Sequence, residues 1–389
     1  MKRKMLALVL ALTICLSVLA ACGGGGDSGP VKIGLLGPYT GAVAQYGLAV
    51  RDGAILYLEQ YNEKGGINGR EIEWVMYDDE HDPVKALTGY NYLVDQNVSA
   101  IIGAVTSAPT MAVVPEAFGD NMPMITASAT AEGVTFNASN NQVYTNMFRS
   151  CFIDPFQGNR LADFAKNAIG ATTAAVIFNT GVDYSVGLKD AFISKANEVG
   201  LEIVALEAYG TDAVDYQSQL TNIAAKNPDV LFVPDYYETV ILLSQQAINA
   251  GVTATLLGAD GWADVIGAIS DPAPVNGSFF TAGFSVEDES PMVQDFLRAF
   301  TAKYNSEPSM FAAQGYDAAM ILVAALEKAE AGSNTTATEA YRLDVIAALK
   351  ATNMDCVTGN ITYDNYNNPI KPAVIINIVN GEEKFWGKY

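Results

Sequence analysis

The chain has 389 residues, with 43 acidic and 22 basic side chains, a formal net charge of −21 and a single histidine. Phosphate backbones are held by clustered lysine and arginine, so this balance excludes a nucleic-acid surface as the working part of the molecule. Half of the residues are apolar, and the roughly 360 that follow the leader exceed what one hydrophobic core usually supports, so two domains are expected.

In chain order, Lys2, Arg3 and Lys4 precede an apolar run from Met5 to Val18. A basic start, a short apolar core and small residues after it mark an export signal over residues 1–21, too short to span a bilayer stably. Leu19, Ala20, Ala21 and Cys22 resemble a bacterial lipoprotein cleavage site. Cys22 is therefore expected to carry a lipid, and residues 22–29 read as that cysteine and a glycine-rich tether. The protein is expected to be anchored on the outer face of the bacterial cytoplasmic membrane. With Cys15 removed and Cys22 acylated, Cys151 and Cys356 remain. Outside the cell they can pair or stay separate thiols, and no CxxC or other zinc spacing occurs.

From Val31 on, short apolar runs alternate with amphipathic segments, which predicts an α/β fold with parallel sheet covered on both faces. KIGLLGP is the first strand and its exit. Ala54, Tyr57, Leu58 and Tyr61 then fall at helical spacing, and Gly65 with Gly66 stops that helix. EIEWVMYDD is the next strand, after which Asp82 caps and Pro83 opens a helix carrying Ala86, Tyr90, Leu93 and Val94 on one side. SAIIGAV, PMITAS, AAVIFN, DVLFVPD and TLLGAD are further strands running into polar loops, one of them followed by Val240, Leu243, Ala247 and Ile248 at helical spacing. The stretch GSNTTATEA near residue 332 reads as a polar loop between helices. Ligands of open α/β sheets sit beyond the carboxyl ends of the strands, so function belongs in those loops.

Enzyme chemistry finds little to work with. His81 is the sole histidine, no GxSxG elbow or phosphate loop occurs, and Gly34, Gly37 and Gly41 have the wrong spacing for a dinucleotide fingerprint. The acidic run DDEHDP at residues 78–83 reads as a strand exit with a helix cap rather than a metal site. No cofactor or metal is expected.

Hydroxyls on the loops are better candidates. Ser107 follows SAIIGAV and Thr106 and opens a helix whose first amides favour a carboxylate, while Ser128 and Thr130 follow PMITA. Each alone is equally a helix cap. Tyr46, Tyr184 and Tyr236 lie at three strand exits, where rings wall an apolar pocket or simply pack. Asp260 in LLGADGW follows an apolar strand; it is either a turn residue or a partner for a ligand ammonium.

Taken together, KIGLLGPYTGAVAQYG, NEKGGINGREIE, YDDEHDP, IIGAVTSAPTMAV, MITASAT, DYSVG and GADGW resemble the extracellular solute-binding proteins of branched-chain amino-acid ABC importers, over nearly the whole chain from Val31 to Tyr389. The resemblance implies a periplasmic-binding-protein-like body of two doubly wound αβα lobes joined by a three-segment hinge. Residues 30–150 with 282–354 would form one lobe and 151–281 with 355–389 the other. It implies that Ser107 and Thr130 hold the ligand carboxylate and assist its ammonium, that Ser128 contributes backbone, and that Tyr184 and Tyr236 line the cleft. Asp260 would be the ammonium partner, and Tyr46 would sit beside the ligand side chain. The implied partners are a small-molecule amino acid, the ABC permease and ATPase components, and the membrane through the lipid anchor. Asp260 stands where well-known members carry Glu, Tyr46 where a bulkier Trp stands, and His81 with Thr106 where some members form a disulfide. Cys151 and Cys356 would fall near two crossovers. Relatives of this fold that take urea, short amides or aromatic acids, and a signalling receptor subunit, are the alternatives.

Overall fold

The computed structural model describes residues 29–330 and 338–389. The export signal, the Cys22 lipidation site, the tether up to residue 28 and most of the polar loop near residue 332 lie outside the described residues. Among the described residues no helix is long and apolar enough to cross a membrane.

The first sheet holds β1 (Val31–Gly37), β2 (Ile72–Asp78), β3 (Ala100–Ile102), β4 (Met124–Thr126) and, after a small hairpin of β5 (Phe136–Asn137) and β6 (Gln142–Val143), β7 (Met147–Arg149). Its order is β2-β1-β3-β4-β7 and every pairing is parallel. Parallel neighbours require crossovers, here the helices Ala44–Glu63, Pro83–Asp95 and Ser107–Gly119. Pro83 opens the second of these, and the Asp82 carboxylate accepts from Val84 N at 2.8 Å and Lys85 N at 2.9 Å, the cap that the sequence announced. Three later helices, Pro291–Tyr304, Met310–Glu330 and Glu339–Lys350, return to this lobe. Met310–Glu330 lies against Ala44–Glu63 with backbones nearly touching. A Cβ on Gly53 would stand 1.9 Å from Ala312 O, and one on Gly315 would stand 2.2 Å from Val50 O, so glycine is required at the crossing.

The second sheet contains β8 (Thr173–Asn179), β9 (Glu202–Tyr209), β10 (Val230–Phe232), β11 (Thr255–Gly258) and β12 (Phe279–Ala282), all parallel. The hairpin β13 (Asn353–Cys356) and β14 (Gly359–Thr362) comes next in the chain, followed by β15 (Val374–Val379) and β16 (Glu382–Lys388), which complete the second sheet in the order β16-β15-β12-β11-β10-β8-β9. The expectation of parallel sheets fails for β15 and β16, which pair antiparallel. The reason is the path of the chain. β12 leaves for the other lobe at Ala282, and β15 enters beside that point, Val374 opposite Ala282, so it must run back along its neighbour.

The third crossing also differs from the expected boundary at 354/355. The β13–β14 hairpin and the loop after it stay with the first lobe. The Asp317 carboxylate accepts from Val357 N at 2.7 Å and Thr358 N at 2.9 Å, Tyr363 donates to Arg149 O at 2.9 Å, and Asn367 donates to Met147 O at 3.0 Å. The chain leaves only near Lys371, whose buried ammonium donates to Ser150 O at 2.9 Å and thereby ties the first and third crossings together. A turn-rich stretch with no local charge signal gives no warning of this. Cys151 and Cys356, offered as a possible disulfide, are both buried free thiols.

Candidate functional site

The carboxyl ends of the two sheets' strands face each other across a cleft, and the loops beyond them meet around a narrow cavity of about 10 Å3. From the first lobe come Tyr46, Ser107, Ser128 and Thr130; from the second come Tyr184, Tyr236 and Asp260. All seven residues singled out in the sequence thus line one cavity. Val105, Thr106, Gly261 and Phe311 complete its wall. Larger grooves of about 670 and 1060 Å3 flank the hinge, but they gather none of these seven groups.

On the first lobe, the hydroxyls are not helix caps. Ser107 Oγ accepts from Ala131 N at 3.2 Å, and Ser128 Oγ donates to Val105 O at 2.7 Å, so the two strand exits are laced to each other. Thr106 Oγ1 turns away to His81 Nδ1 at 2.8 Å. The helix Ser107–Gly119 therefore starts without a side-chain cap, and its first-turn amides keep their capacity for an anion. Thr130 Oγ1 is buried and completes no well-formed hydrogen bond.

The second lobe supplies the charge. Asp260 is 2% exposed, and its Oδ1 accepts from Tyr184 Oη at 2.8 Å and from Gln157 Nε2 at 2.9 Å. Gln157 Oε1 in turn accepts from Asp260 N at 2.9 Å and from Thr281 Oγ1 at 2.8 Å, which fixes the orientation of the amide and of the acid. Oδ2 makes no hydrogen bond among the described residues, and no lysine or arginine pairs with the carboxylate. Burial pushes this carboxyl up to about 6, with the Gln157 and Tyr184 hydrogen bonds partly opposing the rise.

Sequence reasoning missed a second acid. Asp154 is 1% exposed, its backbone N–H donates to Thr130 O at 3.1 Å, and neither carboxyl oxygen has a hydrogen-bond partner. Burial, joined by the nearby Asp260 charge, holds its carboxyl well above the usual range. In the sequence Asp154-Pro155 looks like an ordinary helix start, and Gln157 like a surface glutamine. Only the folded arrangement brings that helix end to the exit of β11. Phe311, at the start of a long apolar helix, was hidden in the same way among core residues.

Aromatic rings enclose the remainder. Tyr184 and Tyr236 stack at 4.9 Å and 9°, and Tyr46 packs on Phe311 at 4.5 Å. His81 of the first lobe meets the Tyr236 ring of the second edge-on at 5.5 Å. Its neighbours in the acidic run accept from the backbone, Asp78 from Tyr39 N at 2.8 Å and Asp79 Oδ1 from His81 N at 2.9 Å, while the buried Asp79 Oδ2 has no hydrogen-bond partner among the described residues. Among the described residues no group of three or more potential ligands is placed to hold a metal ion. Hydrogen-bond donors at one side, an acid at the other and apolar rings between suit a small molecule carrying both charges.

Comparison with known proteins agrees with this architecture. A family model described as periplasmic binding protein matches residues 30–383. The leucine-, isoleucine-, valine-, threonine- and alanine-binding protein of Pseudomonas aeruginosa is 29% identical over 335 residues, covering 86% of each chain. Among solved structures, the leucine-binding protein LivK of Thermotoga maritima superposes with a TM-score of 0.83 at 31% identity, covering 92% of this chain and 98% of that one. A solute-binding protein of R. palustris in complex with benzoate gives a TM-score of 0.81 at 26% identity, covering 92% and 96%. The chain belongs to the periplasmic binding protein family, among the substrate-binding proteins of branched-chain amino-acid ABC transporters.

Proposed function

We propose that this protein captures an α-amino acid with an apolar side chain between its two lobes and delivers it to an ABC permease driven by an ATPase. One observation carries the reading: a buried Asp260 carboxylate with one oxygen held by Tyr184 and Gln157 and the other completing no well-formed hydrogen bond among the described residues, in the same cavity as the first-lobe hydroxyls. A ligand ammonium offsets the cost of that buried charge, and a ligand carboxylate accepts from Ser107, Thr130 and the uncapped helix start. Tyr46, Tyr184, Tyr236 and Phe311 receive the side chain, and Ser128 shapes the loop from which the backbone contributes. The relatives named for leucine, isoleucine and valine support this class of ligand.

On this reading the lobes close about the three crossings, and ligand shifts the equilibrium because it touches both lobes only in the closed form. Cys22 carries the lipid that keeps the exported protein on the outer face of the cytoplasmic membrane. The chain performs no chemistry on its ligand. The test is a thermal-shift panel of the twenty amino acids, urea, short amides and benzoate. Apolar α-amino acids are expected to raise the melting temperature; a panel in which only benzoate or amides do so contradicts the proposal.

A further inference from the structure

We propose that Tyr46 and Tyr237 form a reciprocal clasp between the lobes, which sets the balance of open and closed forms without touching the ligand's charged groups. Tyr46 belongs to the first-lobe helix Ala44–Glu63, and Tyr237 is the first residue of the second-lobe helix Tyr237–Asn249. The Tyr46 hydroxyl donates to Gly261 O at 2.6 Å, across 215 positions of sequence. It also accepts from Tyr237 N at 3.0 Å. The Tyr237 hydroxyl returns the contact by donating to Ala42 O at 2.8 Å. The two rings meet edge-on at 5.1 Å and 84°, and they are only 1% and 5% exposed.

The exchange is chemically complete. Each phenol gives its proton to a backbone carbonyl of the opposite lobe. The helix Tyr237–Asn249 has no side-chain cap of its own, so the Tyr46 oxygen satisfies one of its first-turn amides from the other lobe. Gly261 follows Asp260, so the same bond draws the acid's loop onto the cavity. Tyr237 does not line the cavity and acts as a positioning residue. Bonds made only when the lobes meet raise the closed fraction, and apparent affinity rises in proportion.

The inference rests on the reading that the lobes open and close, and its test keeps the two apart. Dyes on the two lobes report the interlobe distance distribution for wild type, Tyr237→Phe and the double variant Y46F/Y237F, each free and with excess L-leucine. Phenylalanine keeps the rings and the Tyr237 N–H and deletes only the hydroxyls. Both variants are expected to move toward longer distances, the double variant further. For Tyr237→Phe, L-leucine dissociation should quicken by about three- to tenfold at an unchanged association rate, the loss of one partly buried hydrogen bond. Wild-type failure to bind L-leucine counts against the proposed ligand, and the distances still read the clasp. Distributions of the double variant that coincide with wild type, free and with L-leucine, overturn the clasp.

Discussion

The two faces of the cleft differ in how far their own hydrogen bonding is complete. On the first lobe, Ser107 and Ser128 are engaged with Ala131 and Val105, and of the Ser107, Ser128 and Thr130 hydroxyls only that of Thr130 is left without a well-formed hydrogen bond. On the second, Asp260 Oδ2 and both Asp154 oxygens complete no well-formed hydrogen bond among the described residues, and neither acid forms an ion pair there, although the Arg149 charge partly offsets the burial of Asp154. Unmatched burial of this kind is costly in the free protein, and a ligand ammonium removes the cost. On the proposed reading, the first lobe would recognise shape and carboxylate, while the second would hold the discrimination for positive charge.

Substituting the acid gives the largest expected effect. Asp260→Ala should weaken L-leucine binding by about 3 to 5 kcal/mol, beyond a hundredfold, when read by calorimetry. The conservative Asp260→Asn should lose binding as well and yet raise the melting temperature of the ligand-free protein, because it deletes an uncompensated buried charge. An unchanged affinity would place the discrimination elsewhere and dissolve the contrast between the lobes.

Acidity gives a smaller and graded effect. The Asp260 carboxyl rises from 3.8 to about 6 on folding, so the ligand-free fold holds a proton that the unfolded chain releases. Its contribution to stability is full below the unfolded value and is lost as pH rises through about 6. Ligand binding runs the other way, since the ammonium needs the carboxylate. Affinity for L-leucine should be flat above about 6 and fall by up to tenfold per pH unit below it. An affinity constant from pH 7 down to about 4 would exclude Asp260 from the ammonium site.

Much of this was legible in the sequence because the strands that matter are apolar runs ending in polar loops. β1, β3, β4, β8, β10 and β11 all lie where KIGLLGP, SAIIGAV, PMITAS, AAVIFN, DVLFVPD and TLLGAD announced them. β9 escaped notice because EIVALEAY, at a sheet edge, is only partly buried, with Glu202, Leu206 and Ala208 exposed, and β16 because EEKFWGK is largely exposed. Seven cavity residues were readable as strand exits, whereas Asp154 and Gln157 act through a helix end that reaches the cavity only when the chain crosses between lobes. The late third crossing was hidden for a related reason. Asp317 sits in the middle of an apolar helix, and its role as acceptor for Val357 and Thr358 depends on contacts forty positions away.

The most direct test of the central claim is a pair of calorimetric titrations, one with L-leucine and one with 4-methylpentanoate, which has the same side chain and carboxylate and lacks the ammonium. The account predicts saturable binding of L-leucine and at least a hundredfold weaker binding of the acid, the expected loss when a buried charge is left without its partner. Equal affinity for the two, or tighter binding of 4-methylpentanoate, would contradict it.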